Sequence, residues 1–204
     1  MKLNRSLILL AGGKSSRMGT PKGLLTYNDH LWILVQIEQF IGNTVHIGLG
    51  FDYEKYLSAI PWFKDAMETP VLYKEKKVRV YINPTPNFGL FSNLQNILKQ
   101  LDISEAVFVL PIDVPLINKK EQEQLFLTET PIAIPIYKNS KGHPVKLSPL
   151  FWKTLLPLSL KEKDARLDLQ IKKRNASEIS LIQVSDAYCI LNLNTPSDWD
   201  SFHP

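Results

Sequence analysis

The feature that most constrains this chain is a glycine corner that follows directly on its first apolar run. Residues 6–11 read SLILLA, and Gly12 and Gly13 come next. An apolar run of this kind predicts a buried strand, and glycines, which carry no Cβ, allow a sharp turn and a close ligand approach. Arg17 and Lys22 follow shortly afterwards. Glycines and cations at the end of a strand are typical of a phosphate-binding loop.

Strand-like and helical runs alternate along the rest of the chain. Strands are predicted over 6–11, 44–50, 78–84, 106–113, 131–139, 178–184 and 188–194, and a turn over 140–142. Helices are predicted over 30–41 and 90–101. Two further helices are predicted to begin at N-cap residues, one at Asn118 and one at Thr195. The region 51–77 indicates only short helices or an elaborated connection. This alternation predicts an α/β fold, with residues 1–204 forming a single Rossmann-like, three-layer domain around a mostly parallel sheet.

The composition excludes several classes of protein. No stretch approaches the roughly 20 apolar residues of a membrane span. Cys189 is the only cysteine, which rules out an internal disulfide, and its apolar surroundings predict a buried, inert thiol. The net charge of +4 is carried partly by 73–79 and 161–174, which lack the interleaved aromatic residues of a single-strand nucleic-acid surface. We therefore expect a cytoplasmic protein without a membrane or nucleic-acid partner.

Two common phosphate-binding motifs do not fit the glycine corner. Gly13-Lys14-Ser15 would supply the end of a Walker loop, but its first glycine would fall at Ile8. Gly48-Leu49-Gly50 begins like a dinucleotide-binding motif, but Tyr53 occupies the position of the third glycine. Both motifs are excluded, and Gly48 and Gly50 are interpreted as a strand end.

A longer pattern, L-A-G-G-x-S-x-R-M-G-x-x-K, is satisfied throughout from Leu10 to Lys22. It resembles the signature of nucleotidyltransferases that join a nucleoside monophosphate to a phosphorylated acceptor. The most similar group is MobA/MocA, which attaches GMP or CMP to molybdopterin. The resemblance implies a fold of the nucleotide-diphospho-sugar transferase type.

The residues of this loop suit a triphosphate. The glycines turn backbone N–H groups toward phosphates, Arg17 offers a planar fork, and Lys22 offers a compact charge. We expect Arg17 and Lys22 to be catalytic. The predicted nucleotide-binding residues are Leu10, Ala11, Gly12, Gly13, Ser15, Ser16 and Lys22 of the loop, together with Asn83, Gly89 and Ser92.

Asp113 is the third predicted catalytic residue and the predicted metal ligand. It lies in P-I-D-V-P (111–115), at the end of an apolar strand. Alone it could simply cap the next turn. Beside a triphosphate loop, a ligand of Mg²⁺ is the better interpretation, and the resemblance implies the same role.

Three further stretches extend the resemblance. Asn83-Pro84 and 89–98 resemble the segment that faces the base and ribose. Residues 142–145, G-H-P-V, resemble the MocA-like branch, and 193–198, L-N-T-P-S-D, resemble the closing segment of the family. On this basis His143 and Asn194 are predicted on the acceptor side.

The resemblance implies transfer from GTP, or CTP, to molybdopterin, with Mg²⁺ as cofactor and with transfer partners among molybdoenzyme-maturation proteins. L-A-G-G indicates the guanylyl-transferring branch, whereas G-H-P-V indicates the cytidylyl-transferring one. Asn192 and Asn194 stand where many relatives have aspartates, which leaves open whether either one helps to hold the metal. Three alternatives stay open: a CTP-dependent molybdopterin cytidylyltransferase, a sugar- or polyol-phosphate nucleotidyltransferase, and a nucleotide-binding module without turnover.

Overall fold

One large sheet lies at the centre of the computed structural model, which describes residues 5–102 and 104–202. The strands are β1 (Ser6–Ala11), β2 (Thr26–Tyr27), β3 (His30–Leu31), β4 (Thr44–Leu49), β5 (Val71–Tyr73), β6 (Lys76–Ile82), β7 (Val107–Pro111), β8 (Ile132–Tyr137), β9 (Ser140–Lys141), β10 (Val145–Leu147) and β11 (Ile179–Gln183). The helices are α1 (Trp32–Gln39), α2 (Tyr53–Ala59), α3 (Phe63–Glu68), α4 (Gly89–Leu98), α5 (Lys119–Phe126), α6 (Pro149–Trp152), α7 (Leu167–Lys172) and α8 (Pro196–Phe202).

The main sheet has the strand order β11-β8-β10-β7-β1-β4-β6-β5. Strand β1 pairs in parallel with β4 on one side and with β7 on the other. Strands β10 and β5 run antiparallel to their neighbours, and β9 forms a hairpin with β8. The prediction of an α/β domain with a mostly parallel sheet is confirmed. Because the chain continues from β1 to β4 on one side and returns to β7 on the other, the sheet has its switch point between β1 and β7, where ligands of such folds bind.

Helices cover both faces of the sheet and give two apolar cores. The first core contains Trp32 and Ile37 of α1 and Trp199 of α8. The second core lies on the opposite face and contains Leu94 of α4 and Trp152 of α6. This arrangement is the predicted three-layer architecture. Within the described residues, no helix has the length and apolar character needed to cross a bilayer.

Most predicted elements are present within a few residues of their expected bounds, and the region 51–77 contains α2, α3 and β5. The Asn118 cap is confirmed, since its side chain accepts a hydrogen bond from the backbone N–H of Glu121. The Thr195 cap is also confirmed, because its Oγ1 accepts a hydrogen bond from the backbone N–H of Asp198. Cys189 is 1% exposed, as predicted.

The predicted strand over 188–194 is wrong. This segment forms a 3-10 turn at Ala187–Ile190 and then an extended stretch outside the sheet. It crosses the carboxyl edge of the sheet, where its backbone pairs with loops: His143 N–H donates to Cys189 O, and Leu193 N–H donates to Asp113 O, both at 2.8 Å. The sequence pattern is that of a strand because Cys189 and Leu193 face the core.

The predicted turn over 140–142 is also wrong, by two residues. The turn residues of the β8–β9 hairpin are Lys138 and Asn139, with φ of 46° and 68°, while Ser140 and Lys141 already form β9. Asparagine tolerates a positive φ, but lysine rarely adopts one. Only Asn139 of the two turn residues therefore indicates this turn in the sequence.

Close packing at the end of β4 leaves no room for side chains on Gly48 and Gly50, and it places Gly50 against the glycine corner. A Cβ on Gly48 would lie 2.1 Å from Oδ1 of Asn93, and a Cβ on Gly50 would lie 2.6 Å from the carbonyl oxygen of Gly12. Gly48 and Gly50 are therefore glycines because side chains would not fit, which agrees with their interpretation as a strand end.

Candidate functional site

A cleft of about 240 Å³ opens at the switch point between β1 and β7. The predicted residues that line it are Leu10, Ala11, Gly13, Ser15, Ser16, Arg17, Lys22, Asp113 and Asn194. It is also lined by Lys14, Leu90 and Ile112. The fold thus brings the glycine loop, the predicted metal ligand and the asparagine of the closing segment to one place.

A second cleft of about 260 Å³ adjoins the first and shares Gly13, Lys14 and Leu90 with it. Its other lining residues are Gly12, Phe51, Pro86, Asn87 and Gly89. Together the two clefts follow the glycine loop along its length. Two adjoining clefts along one loop suit an elongated ligand with its charged end in the first cleft and a flat, less charged end in the second.

The two glycines of the corner are there for different reasons. A Cβ on Gly12 would lie 2.5 Å from Nδ2 of Asn93, so packing alone requires a glycine there. A Cβ on Gly13 would meet no heavy atom within 4 Å. Gly13 is exposed and lines both clefts, so its missing side chain leaves room for a ligand beside the backbone.

Lys22 joins the loop to the two polar side chains across the cleft. Its Nζ donates to Oδ2 of Asp113 at 2.9 Å and to Oδ1 of Asn194 at 2.8 Å. The side chains of Lys22 and Asp113 are 12% and 24% exposed. The Lys22 backbone N–H also donates to Oγ of Ser15 at 3.2 Å, which fixes the far end of the loop to its start.

Helix α1 holds the segment that carries Asp113. Nε1 of Trp32 donates to the carbonyl oxygen of Ile112, and Nε2 of Gln36 donates to that of Val114, both at 2.7 Å. Oε1 of Gln36 in turn accepts from the backbone N–H of Leu116 at 3.0 Å. Sequence reasoning missed both positioning residues. The available signal was Gln36 itself, an uncharged polar residue within an otherwise apolar stretch of the predicted helix.

The start of α8 holds Asn194. Oδ2 of Asp198 accepts from the backbone N–H groups of Asn194 and Thr195, at 3.0 and 2.8 Å. Hydrogen bonds from Thr195, followed by those from Asn194 and the charge of Arg17, lower the pKa of the Asp198 carboxyl. The helix itself is anchored by Trp199, whose ring centroid lies 5.5 Å from that of Trp32.

The other two cations of the loop differ from Lys22. Arg17 is exposed at the rim of the first cleft. Nζ of Lys14 lies 4.8 Å from the ring centroid of Phe51, in a cation–π contact at the junction of the two clefts. Both side chains can reach a phosphate group without leaving a buried partner unpaired.

The structure places Asn83 and Ser92 away from the lining of both clefts. They are 3% and 2% exposed, and Nδ2 of Asn83 donates to Oγ of Ser92 at 2.8 Å. Oδ1 of Asn83 accepts from the backbone N–H of Thr85. This pair shapes the loop that leads to Gly89, which itself lines the second cleft.

His143 does not line either of the two clefts. Burial lowers the pKa of its imidazole, against the opposite effects of a hydrogen bond with the Val109 backbone and of the Asp113 charge. The buried Nδ1 atom has no hydrogen-bond partner among the described residues. Asn192 is exposed, and its amide donates to the carbonyl oxygen of Ile190.

The oxygen atoms at the Lys22 position are of the kind that Mg²⁺ prefers. Asp113 offers a carboxylate and Asn194 an amide oxygen, and both face one point. Over residues 5–102 and 104–202, no group of three or more His, Cys, Asp or Glu side chains could hold a metal ion. Magnesium is commonly bound by one or two carboxylates together with substrate phosphates. The residues present therefore fit a magnesium ion that arrives with a phosphate ligand.

Comparison with known proteins identifies relatives of this chain. The family model described as "MobA-like NTP transferase domain" matches residues 7–174. A molybdenum cofactor guanylyltransferase of Yersinia pestis is 28% identical over 205 residues, covering 98% of this chain and 95% of that protein. One from Campylobacter jejuni is 29% identical over 122 residues, covering 59% of this chain and 55% of that protein. In these Campylobacter relatives, the match thus spans about half of their length.

Solved structures with low sequence identity share the fold. Rv0371c of Mycobacterium tuberculosis has a TM-score of 0.75 at 16% identity, covering 99% of this chain and 98% of that one. A nucleotidyl transferase from Methanothermobacter also has a TM-score of 0.75, at 15% identity, covering 98% and 95%. A complex of Rv0371c with manganese has a TM-score of 0.69 at 16% identity, covering 98% of both chains.

Proposed function

Because this chain belongs to the MobA-like NTP transferase family, we propose that it transfers GMP from GTP to molybdopterin, with Mg²⁺ as the metal ion. In this proposal residues 1–204 act as one nucleotidyltransferase domain. The cytoplasm is the proposed compartment, and molybdoenzyme-maturation proteins would receive the product.

One observation carries the proposal. Lys22, Asp113 and Asn194 meet within hydrogen-bond distance at the switch point of the sheet, beside a glycine whose missing side chain leaves open space. A phosphate-binding loop alone would suit many ligands. A carboxylate held opposite that loop suits a triphosphate with its metal ion.

The reaction would be a displacement at the α-phosphorus of the nucleotide. A bond forms between an oxygen of the acceptor phosphate and this phosphorus, and the bond to pyrophosphate breaks. A phosphate monoester is already ionised at neutral pH, so it needs no side chain to remove a proton. The work of the protein is therefore to hold both reactants in line and to stabilise charge.

The roles of the residues follow from their places in the cleft. Backbone N–H groups at Gly13 and the charges of Arg17 and Lys22 would bind the β- and γ-phosphates and the departing pyrophosphate. Asp113 and Asn194 would hold Mg²⁺, which supplies charge neutralisation at the phosphate oxygens when bound. The second cleft, between Phe51 and Leu90, would take the ribose and base.

The relatives support the finer parts of the proposal. The Yersinia and Campylobacter proteins are named molybdenum cofactor guanylyltransferases, which favours GTP and molybdopterin. The manganese complex of Rv0371c supports a divalent ion in this fold. Three alternatives differ from this proposal in the outcome of the test below. They are CTP as donor, a sugar or polyol phosphate as acceptor, and nucleotide binding without turnover.

The test is a pyrophosphate-release assay with GTP, CTP, UTP or ATP, each with Mg²⁺ and with or without molybdopterin. We expect release with GTP only when molybdopterin is present. Release with CTP would change the donor. Nucleotide binding without release would remove molybdopterin as the acceptor and leave a sugar or polyol phosphate acceptor, to be added to the same assay, or a binding module without turnover. Asp113→Ala should lower kcat by about 10²–10³, whereas Asp200→Ala, an exposed aspartate of α8, should leave it unchanged.

A further inference from the structure

We propose that Lys22 excludes free divalent cations from the first cleft, so that the protein takes its metal ion only as a metal–nucleotide complex. This inference rests on the proposed function and concerns the form in which the substrate binds. It assigns Lys22 a second task besides contacting phosphate.

The position of the Lys22 ammonium carries the inference. Its Nζ lies 2.9 Å from Oδ2 of Asp113 and 2.8 Å from Oδ1 of Asn194, which are the two oxygens that could hold a metal ion. The side chain is only 12% exposed, so the cation is held in the cleft rather than at its rim. Lys22 therefore occupies the point on which the two oxygens converge.

A magnesium or manganese ion bound to the same oxygens would lie about 2.0–2.2 Å from each of them. An ion on the side of the oxygens where the Lys22 ammonium lies would then be almost in contact with that ammonium. Two such cations repel strongly at that distance, and the partial burial of the cleft reduces screening by water. A metal ion at the point where the two oxygens converge would therefore have to take the place of the Lys22 ammonium.

A nucleoside triphosphate removes this conflict. Its phosphate oxygens give Lys22 a new anionic partner, and they also complete the coordination of the metal ion. A free metal ion brings no phosphate oxygens. It would displace the Lys22 ammonium and leave that ammonium without an anionic partner. The metal–nucleotide complex is therefore the form that fits the cleft.

Other cations of the loop are placed differently. Lys14 lines the same cleft, but its Nζ lies over the ring of Phe51 at 4.8 Å. Removing the charge of Lys14 changes the net charge of the cleft by the same amount as removing that of Lys22. Comparing a Lys22 variant with a Lys14 variant therefore separates two effects on metal binding. One is the occupation of the metal position by an ammonium, and the other is the net charge of the cleft.

The experiment measures binding of Mn²⁺ alone to the full chain by electron paramagnetic resonance, without nucleotide. Lys22→Met, which keeps an unbranched side chain but lacks the terminal ammonium, should bind Mn²⁺ about tenfold or more tightly than the wild type. Lys14→Met should change the affinity by less than about threefold, because exposed charges are screened. Adding Asp113→Asn to Lys22→Met should abolish the gain.

The inference is overturned if Lys22→Met binds Mn²⁺ no more tightly than Lys14→Met, or if Asp113→Asn does not remove the gain. Lys22→Gln, which retains an N–H donor for Asp113, should behave like Lys22→Met and serves if that variant fails to fold. Pyrophosphate release by the wild type is measured separately. Normal release without a gain in Mn²⁺ affinity defeats this inference alone, whereas absence of nucleotide binding defeats the proposed function.

Discussion

Replacing Gln36 with leucine tests whether α1 holds the Asp113 segment. Gln36 is fully buried, and its amide accounts for both the carbonyl oxygen of Val114 and the N–H of Leu116. Leucine has a similar size but leaves these two backbone groups unpaired, at about 1–3 kcal/mol each. The added apolar surface offsets about 1–2 kcal/mol. The midpoints of these ranges give a fall in the free energy of unfolding of about 2–3 kcal/mol, a decrease in Tm of about 4–12 °C.

The assay is urea unfolding of the wild type, Gln36→Leu and Gln39→Leu. Gln39 lies on the same helix but is exposed, so the same chemical change there should alter the free energy of unfolding by less than about 0.5 kcal/mol. Gln36→Leu should also lower kcat, because the loosened segment carries Asp113. If the two variants were equally stable, the role assigned to Gln36 would be refuted.

Two other positions allow tests of the buried structure. Burial, together with the charge of Arg79, lowers the pKa of His46 from 6.5 to about 4. The neutral imidazole is thus the folded form, and the free energy of unfolding should fall as the pH drops from about 6.5 toward 4, by about 2 kcal/mol at pH 5. Urea unfolding across this range should show the loss in the wild type but not in His46→Gln; an equal loss in both would exclude His46 as its origin. Gly48→Ala, whose Cβ would lie 2.1 Å from Oδ1 of Asn93, should destabilise by about 1–3 kcal/mol, and thermal unfolding should show Gly13→Ala close to the wild type.

Local patterns were sufficient to predict most of the fold. The apolar runs that became β1, β4 and β7 face helices on both sides, so the whole run is apolar and easy to identify. The caps at Asn118 and Thr195 were equally clear, because the side chain and its N–H partner lie three residues apart. Where backbone groups pair across long distances, the sequence misled: the segment 188–194 is apolar like a strand, yet its partners are the loops at Asp113 and His143.

The candidate site could be predicted only in part. The glycine loop and Asp113 belong to short patterns with an evident chemical purpose, and the structure brings both to one cleft. That Asn83 and Ser92 would bond to each other could not be read from a sequence, because either side chain could equally have faced a ligand. Gln36 acts through backbone groups of another segment, and the identity of a residue does not show which side chain its backbone N–H will meet. Asp198 differs, because it is the carboxylate three residues after the Thr195 cap and its contacts with Asn194 and Thr195 belong to that local pattern.

The contacts of Lys22 also bear on the order in which the molecule folds. Its two partners are 91 and 172 positions away in the chain. Such contacts exist only when distant parts of the chain have come together, which costs loop-closure entropy. A molecule in which α8 is undocked would keep the contact of Lys22 with Asp113 but would lack the oxygen of Asn194. In the proposed reaction, both oxygens that would hold the metal ion are then present only once α8 has docked.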